Sequence, residues 1–297
     1  MQIDKFQLKS DPSTIDHPTH NGGSPTREAY QLRSDLPTMV KILDVIEETP
    51  EFKTFLFSYP GACRPGQFLL IWLPRVDEKP FTLSYKKDGV LGITAQLRGK
   101  FTKALFNLKK GDSFGVRGGY GAGYNLDGRG GYGAGYAVDV CESCVITGGS
   151  GTATVLPLLD ELQNPNLIIG ARNKDSLLYV DKLPNALFTT DDGSYGFHGT
   201  VVDAFNDLLS KKRINAVYVC GPEKMMAAVI KICQRRDIDC QFAMERYMKC
   251  GIGVCGICVC GGKRVCVDGP IFSLKDLPNL TEFSSIFRTK SGKPEYY

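Results

Sequence analysis

The run Lys249-Cys250-Gly251-Ile252-Gly253-Val254-Cys255-Gly256-Ile257-Cys258, followed by Cys266, sets four thiols in the spacing C-x4-C-x2-C-x7-C. Thiolates at C-x4-C-x2-C are a ligand pattern for a [2Fe–2S] cluster, a centre that moves one electron at a time. Gly251, Gly253 and Gly256 suit a loop folded tightly enough for backbone N–H groups to reach the sulfurs. Zinc is the main rival, but zinc sites usually pair two C-x2-C units a dozen or more residues apart, or use histidine. Here one C-x2-C lies in the run, and His17, His20 and His198 are distant in sequence. Cys260 is a fifth thiol that could substitute for Cys258 or Cys266; the assignment rests on Cys250, Cys255, Cys258 and Cys266. A one-electron centre implies that the rest of the chain supplies a donor or acceptor, and a face for a partner.

The 297 residues, 42% of them hydrophobic, are enough for two globular domains and a small appendage. Lys and Arg number 36 against 32 Asp and Glu, a balance that points to neither nucleic acid nor a membrane surface. The longest apolar run, Phe68-Leu69-Leu70-Ile71-Trp72-Leu73, is far too short to span a bilayer. Eleven cysteines, with no secretory signal, argue against a disulfide framework and for a reducing, cytoplasmic setting. Residues 1–36 are breaker-rich (Asp11-Pro12-Ser13-Thr14, Asn21-Gly22-Gly23-Ser24-Pro25) and read as a disordered tail.

The elements that must hold the thiols fall into two patterns. Over 37–117, Val40–Ile46, Phe52–Ser58, Gln67–Leu73, Phe81–Tyr85 and Leu91–Gln96 read as short strands between Gly, Pro and Asp turns. Such spacing predicts a small antiparallel barrel, with Lys100–Leu108 as a helix burying Phe101, Leu105 and Leu108. A direct repeat follows: Arg117-Gly118-Gly119-Tyr120-Gly121-Ala122-Gly123-Tyr124 recurs as Arg129-Gly130-Gly131-Tyr132-Gly133-Ala134-Gly135-Tyr136. Two copies are too few to stack as a repeat architecture, so 118–143 reads as a glycine-rich linker. Over 144–239, strands at Val145–Thr147, Leu167–Ala171 and Val217–Cys220 alternate with helices at Ala153–Leu162, Val201–Leu209 and Glu223–Arg235. That alternation predicts a parallel, Rossmann-like sheet. Residues 240–280 then form a cluster subdomain and 281–297 a tail.

Two strand-end turns carry nucleotide chemistry. Gly148-Gly149-Ser150-Gly151-Thr152 sits between a strand and a helix, where a bare backbone and a helix N-terminus suit a pyrophosphate. It is not a strict G-x-G-x-x-G. Cys220-Gly221-Pro222 ends another strand at the same sheet edge, where Cys220 faces whatever binds there or, as is commoner for a lone cysteine, is a buried small apolar residue. In the barrel, Lys79-Pro80-Phe81-Thr82-Leu83-Ser84 offers a cation and hydroxyls that could hold phosphate and flavin edges, or could equally be an ordinary edge strand. Cys141-Glu142-Ser143-Cys144 is a separate C-x2-C, read as incidental because its second thiol runs straight into a strand.

In this order, these motifs and the cysteine quartet resemble the ferredoxin–NADP reductase-like flavoproteins. More closely, the chain resembles the electron-transfer subunits of two-subunit dihydroorotate dehydrogenases, most specifically from Glu245 through Phe272, with Thr190–Gly196 also fitting. The resemblance implies FAD on the barrel at Lys79, Pro80, Phe81, Thr82 and Ser84, with its diphosphate at Gly99 and Thr102. It implies NAD(H) at Gly148, Gly149, Gly151 and Thr152, with Cys220, Gly221 and Pro222 over the nicotinamide. It also implies a dihydroorotate-oxidising, FMN-containing partner in a heterotetramer of two subunits each. Lys79 stands where many relatives in the wider superfamily have arginine, which loses a bidentate phosphate contact. Asp191 and Asp192 could favour NAD, Arg172 the 2′-phosphate. Two alternatives stand beside this reading: a reductase subunit of a hydrogenase, sulfite reductase or transhydrogenase, and a zinc-stabilised nucleotide-binding regulator.

Overall fold

The computed structural model describes residues 36–126 and 142–297. The expectations for residues 1–35, for the second copy of the repeat and for Cys141 lie outside them.

Six strands close an antiparallel barrel: β1 (Thr38–Thr49), β2 (Phe52–Ser58), β3 (Phe68–Leu73), β4 (Asp77–Lys87), β5 (Val90–Gln96) and β6 (Ser113–Tyr120), in the order β1-β2-β5-β4-β3-β6. Alternation along each strand sends Phe55 and Phe57, Leu69 and Ile71, and Phe114 and Val116 into its interior. The β4–β5 hairpin turns on Asp88 and Gly89, both at positive φ, as a two-residue loop between right-twisted strands requires. Helix α1 (Lys100–Phe106) packs Phe101 and Leu105 into the barrel core. It stops before Leu108, which is only partly buried.

The last barrel strand runs further than the sequence predicts. Gly118 pairs with Leu69 and Tyr120 with Phe68, across a register shift where Gly118 and Gly119 take positive φ. The start of the repeat's first copy is therefore barrel strand rather than linker.

The second layer system contains β7 (Ser143–Gly148), α2 (Gly151–Leu159), β8 (Asn166–Ala171), β9 (Leu187–Thr190), β10 (Phe197–His198), α3 (Val201–Lys211), β11 (Ala216–Cys220), α4 (Glu223–Arg236) and β12 (Asp239–Ala243). After β12 come the short pair β13 (Val259–Cys260) and β14 (Lys263–Arg264), the single turn α5 (Val265–Asp268), and β15 (Ile271–Ser273). The sheet order is β10-β9-β8-β7-β11-β12-β15, parallel except that β15 runs against β12. Its central strands β7 and β11 are buried on both faces, and Ile146, Val219 and Phe242 meet Phe205, Met226 and Val229 of the helices.

Two boundaries shift as a result. The predicted cluster subdomain is not separate: β12 and β15 are neighbouring strands of the sheet, and the cysteine loop is an excursion between them. The predicted C-terminal tail is ordered as a hairpin, β16 (Ile286–Arg288) with β17 (Pro294–Tyr296). It is tied down where the Ser284 N–H donates to Glu223 at 2.8 Å. Among the described residues, no helix is long and apolar enough to cross a membrane.

Candidate functional site

The chain lays β7, β8 and β9 to one side, then crosses to start β11 on the other side of β7. The C-terminal ends of β7 and β11 therefore flank the topological switch point, where open α/β sheets bind ligands. Both predicted nucleotide turns are there, in contact. A Cβ on Gly151 would lie 2.5 Å from the Cys220 carbonyl oxygen, and one on Gly148 would lie 2.8 Å from Met225 Sδ. The turns fit one another only without side chains at these positions. Gly149 takes φ +57° with open space beyond it, a cradle of the kind a pyrophosphate occupies. Thr152 is turned inward, its hydroxyl 3.0 Å from that of Thr147. The Cys220 thiol lies 3.0 Å from the Thr154 hydroxyl, and burial pushes it up to about 11, so it is a neutral thiol at physiological pH.

Tyr124, the last residue of the repeat's first copy, lies edge-to-face on Tyr218 with ring centroids 5.7 Å apart. Its buried hydroxyl has no hydrogen-bond partner among the described residues. Nothing in the sequence singles it out, because it reads as part of the linker.

The barrel candidates separate by strand alternation. Lys79 shares a face with Asp77, to which its ammonium is paired, and also donates to the Glu78 carbonyl at 3.1 Å. A phosphate would have to draw Lys79 away from Asp77, whose carboxyl is held below its usual range mainly by that hydrogen bond. Pro80, Phe81 and Thr82 are half-buried, and the Phe81 ring lies 6.0 Å from Phe101. Ser84 falls at a register shift between β4 and β5 and is buried; its hydroxyl accepts from Thr94 at 2.8 Å. At the α1 N-terminus, the Thr102 hydroxyl accepts from the Arg98 and Gly99 N–H groups at 2.8 and 3.0 Å. Those donors are therefore already engaged within the turn.

The four cysteines meet as two pairs. Cys258 hydrogen-bonds with Cys266, which holds the Cys258 thiol down at about 6 and pushes that of Cys266 up. Burial raises Cys250, but N–H groups of Cys255, Ile252 and Val254 and the Cys255 side chain outweigh it and leave the thiol at about 7. Gly251, Gly253 and Gly256 all take positive φ, which is what turns these N–H groups toward sulfur. Among the described residues, no three His, Cys, Asp or Glu side chains converge as they would around a single metal ion. Two thiol pairs suit a two-iron cluster, in which each iron takes two cysteines. Cys260 stands apart, buried with its sulfur 3.5 Å from Arg246 Nη2. Cys144 is buried in the sheet core, and desolvation raises its thiol strongly.

A closed barrel followed by a switch-point sheet is the ferredoxin–NADP reductase-like architecture. A ferredoxin–NADP+ reductase from Neisseria gonorrhoeae shares the fold, with a TM-score of 0.55 at 19% identity over 67% of this chain and 90% of that one. An NADH-dependent reduced ferredoxin–NADP oxidoreductase aligns with a TM-score of 0.67 at 27% identity, covering 83% of this chain and 94% of that one. Residues 245–278 match the model of the iron–sulfur cluster binding domain of dihydroorotate dehydrogenase B. A probable dihydroorotate dehydrogenase B (NAD(+)) electron transfer subunit from Methanocaldococcus jannaschii is 37% identical over 270 residues, 88% of this chain and 99% of its own length. The Pyrococcus furiosus counterpart is 38% identical, over 86% of this chain and 97% of its own. The chain belongs to this family of dihydroorotate dehydrogenase B electron transfer subunits.

Proposed function

We propose that the chain relays electrons between NAD(H) and a catalytic subunit that oxidises dihydroorotate, through FAD on the barrel and a [2Fe–2S] cluster in the cysteine loop. The observation that carries this reading is the convergence of the two glycine turns at the switch point, with the cysteine loop hung from an adjacent strand of the same sheet. When bound, FAD supplies the exchange between hydride and single-electron transfer.

The chain's own residues bind and orient. Gly148, Gly149, Gly151 and Thr152 present bare backbone and the start of α2 to a pyrophosphate, while Cys220, Gly221 and Pro222 wall the nicotinamide side. Lys79 offers its ammonium to the flavin's phosphates in exchange for Asp77. Phe81 and Thr82 offer an apolar face and a hydroxyl, Pro80 keeps that stretch of β4 extended, and Ser84 bonds the ring edge. Gly99 and Thr102 hold the diphosphate once the Thr102 hydroxyl turns from its own turn's N–H groups. Cys250, Cys255, Cys258 and Cys266 ligate the irons as thiolates.

Ile252, Val254 and Val267 leave large apolar side chains exposed around the cysteines, Val254 at 79%. They form the docking face for the FMN-containing catalytic subunit, in a cytoplasmic heterotetramer of two subunits each. Anaerobically purified protein should absorb in the visible from flavin and cluster, with about two irons and two sulfides per chain. It should co-purify with the catalytic subunit and support orotate formation with NAD⁺. A colourless protein holding one zinc would overturn the relay. A coloured protein that ignores dihydroorotate dehydrogenase and reduces a hydrogenase or sulfite reductase subunit would move it to that complex.

A further inference from the structure

Arg117 lies outside every set of residues assigned above, yet it joins two of them. It sits on β6 and uses all five of its N–H donors. Nε donates to Glu78 Oε1 at 2.8 Å and Nη2 to Glu78 Oε2 at 2.6 Å. Nη2 also donates to the Lys249 carbonyl at 3.4 Å. Nη1 donates to the Tyr120 hydroxyl at 3.2 Å and to the carbonyl of Cys250, the first cluster cysteine, at 3.1 Å. The side chains of Arg117 and Glu78 are 14% and 21% exposed. On β4, Glu78 immediately precedes Lys79, its side chain alternating to the opposite face. Gly251, next after Cys250, rests directly on the barrel: a Cβ there would lie 2.9 Å from Leu70 Cδ1 and 3.2 Å from the Tyr120 ring. One guanidinium therefore links β6, the Glu78 carboxylate two strands away on β4, and two carbonyls of the cysteine loop. A lysine, with three donors at one point, cannot make this fork.

We propose that Arg117 is a positioning residue for electron transfer: it fixes the Cys250 limb of the cluster loop on the barrel and, with Glu78, sets the charge beside the cluster. The inference rests on the proposed function. When bound, the flavin would take two electrons from NADH as hydride and the cluster would carry them on to the partner one hop at a time, the hydride's proton going to solvent as the flavin is reoxidised. Geometry at Cys250 governs the rate of that hop, and the local charge governs the cluster's potential.

The test uses the full chain, loaded with flavin and cluster, in Arg117→Met, Arg117→Lys and Glu78→Gln. Stopped-flow reduction by NADH should show flavin reduction within twofold of wild type in all three. Cluster reduction should slow about tenfold or more in Arg117→Met and Arg117→Lys, as expected when a positioning contact is lost. Redox titration followed by electron paramagnetic resonance should give shifts of opposite sign: downward in Arg117→Met, which strands the Glu78 carboxylate, and upward in Glu78→Gln, which strands the guanidinium. A role limited to loop packing would move both potentials the same way. If Arg117→Met loses its cluster on folding, Arg117→Lys and Glu78→Gln decide the matter alone. Wild-type cluster rates and potentials in variants with full iron and flavin would overturn this inference and leave the relay standing. Absence of iron and flavin from the wild-type protein would overturn the relay itself.

Discussion

Two arginine–glutamate pairs hold the cysteine loop, and they are built differently. Arg117 with Glu78 is partly open to solvent, bidentate, and has every donor used. Arg246 with Glu223 is closed in, at 2% and 6% side-chain exposure, and its Nε has no partner among the described residues. Around the buried pair gather the Cys260 sulfur, the Ile286 carbonyl at 3.3 Å and the Ser284 N–H. Glu223 opens α4 directly after the Cys220-Gly221-Pro222 turn, so this pair ties the nucleotide side of the molecule to the loop and to the C-terminal hairpin. The contrast separates two jobs. A solvated pair with saturated donors can set position and charge at small energetic risk, whereas a buried pair is a strut whose halves depend on one another.

Arg246→Met should be the most damaging change, because it leaves the Glu223 carboxylate buried and unpaired. It should lower stability by about 3–5 kcal/mol in urea unfolding, and Glu223→Met/Arg246→Met should recover most of that. A loss below about 1 kcal/mol in the single variant would mean the pair is hydrated and the contrast false. Next comes Gly151→Ala, which tests the turn without touching the strut. Its Cβ would meet the Cys220 carbonyl, so the turns must part, at about 1–3 kcal/mol. NADH binding should weaken while the cluster's paramagnetic spectrum stays unchanged; a matching change in both would show that the turn and the loop are not separable. Arg117→Met should cost stability less than Arg246→Met does, about 1–2 kcal/mol, its larger effect falling on the cluster.

Much of this arrangement was readable from residues adjacent in sequence. Phe52–Ser58, rich in aromatic residues and bounded by turn signals, forms β2 with those bounds. The C-x4-C-x2-C run carries its own glycines, so the loop's conformation and three of the four cysteines come from the same ten residues. Short elements without alternation escaped: Leu187–Thr190 has four residues, and Ile271–Ser273 has three, paired to a strand some thirty residues earlier. The two clamps escaped for a related reason. Arg117 was hidden in a glycine repeat, and Arg246 meets Glu223 across 23 positions, where no periodicity connects them. One pairing was within reach of strand geometry: Asp77 and Lys79, two apart, had to share a face.

The smallest expected effect lies at a third junction, where a hydroxyl contact sits beside the Lys182–Glu48 ion pair. Tyr179 is held at φ +63°, an uncommon conformation for a non-glycine residue, by packing with Phe52, Ala153 and Leu178. Its hydroxyl reaches Thr94 on the barrel at 3.1 Å. Thr94 has one proton and gives it to Ser84, so Tyr179 must be the donor in that contact. Burial pushes the phenol up to about 12, which keeps it protonated across the physiological range. Ser84, accepting rather than donating here, keeps its own hydroxyl proton for a ligand. Tyr179→Phe should cost only about 0.5–1.5 kcal/mol, because Thr94 keeps its bond to Ser84. That cost should be the same at low and high salt, whereas the cost of Arg117→Met should shrink as salt screens its ion pair. If both costs fell equally with salt, the distinction between the hydroxyl junction and the guanidinium clamp would not hold.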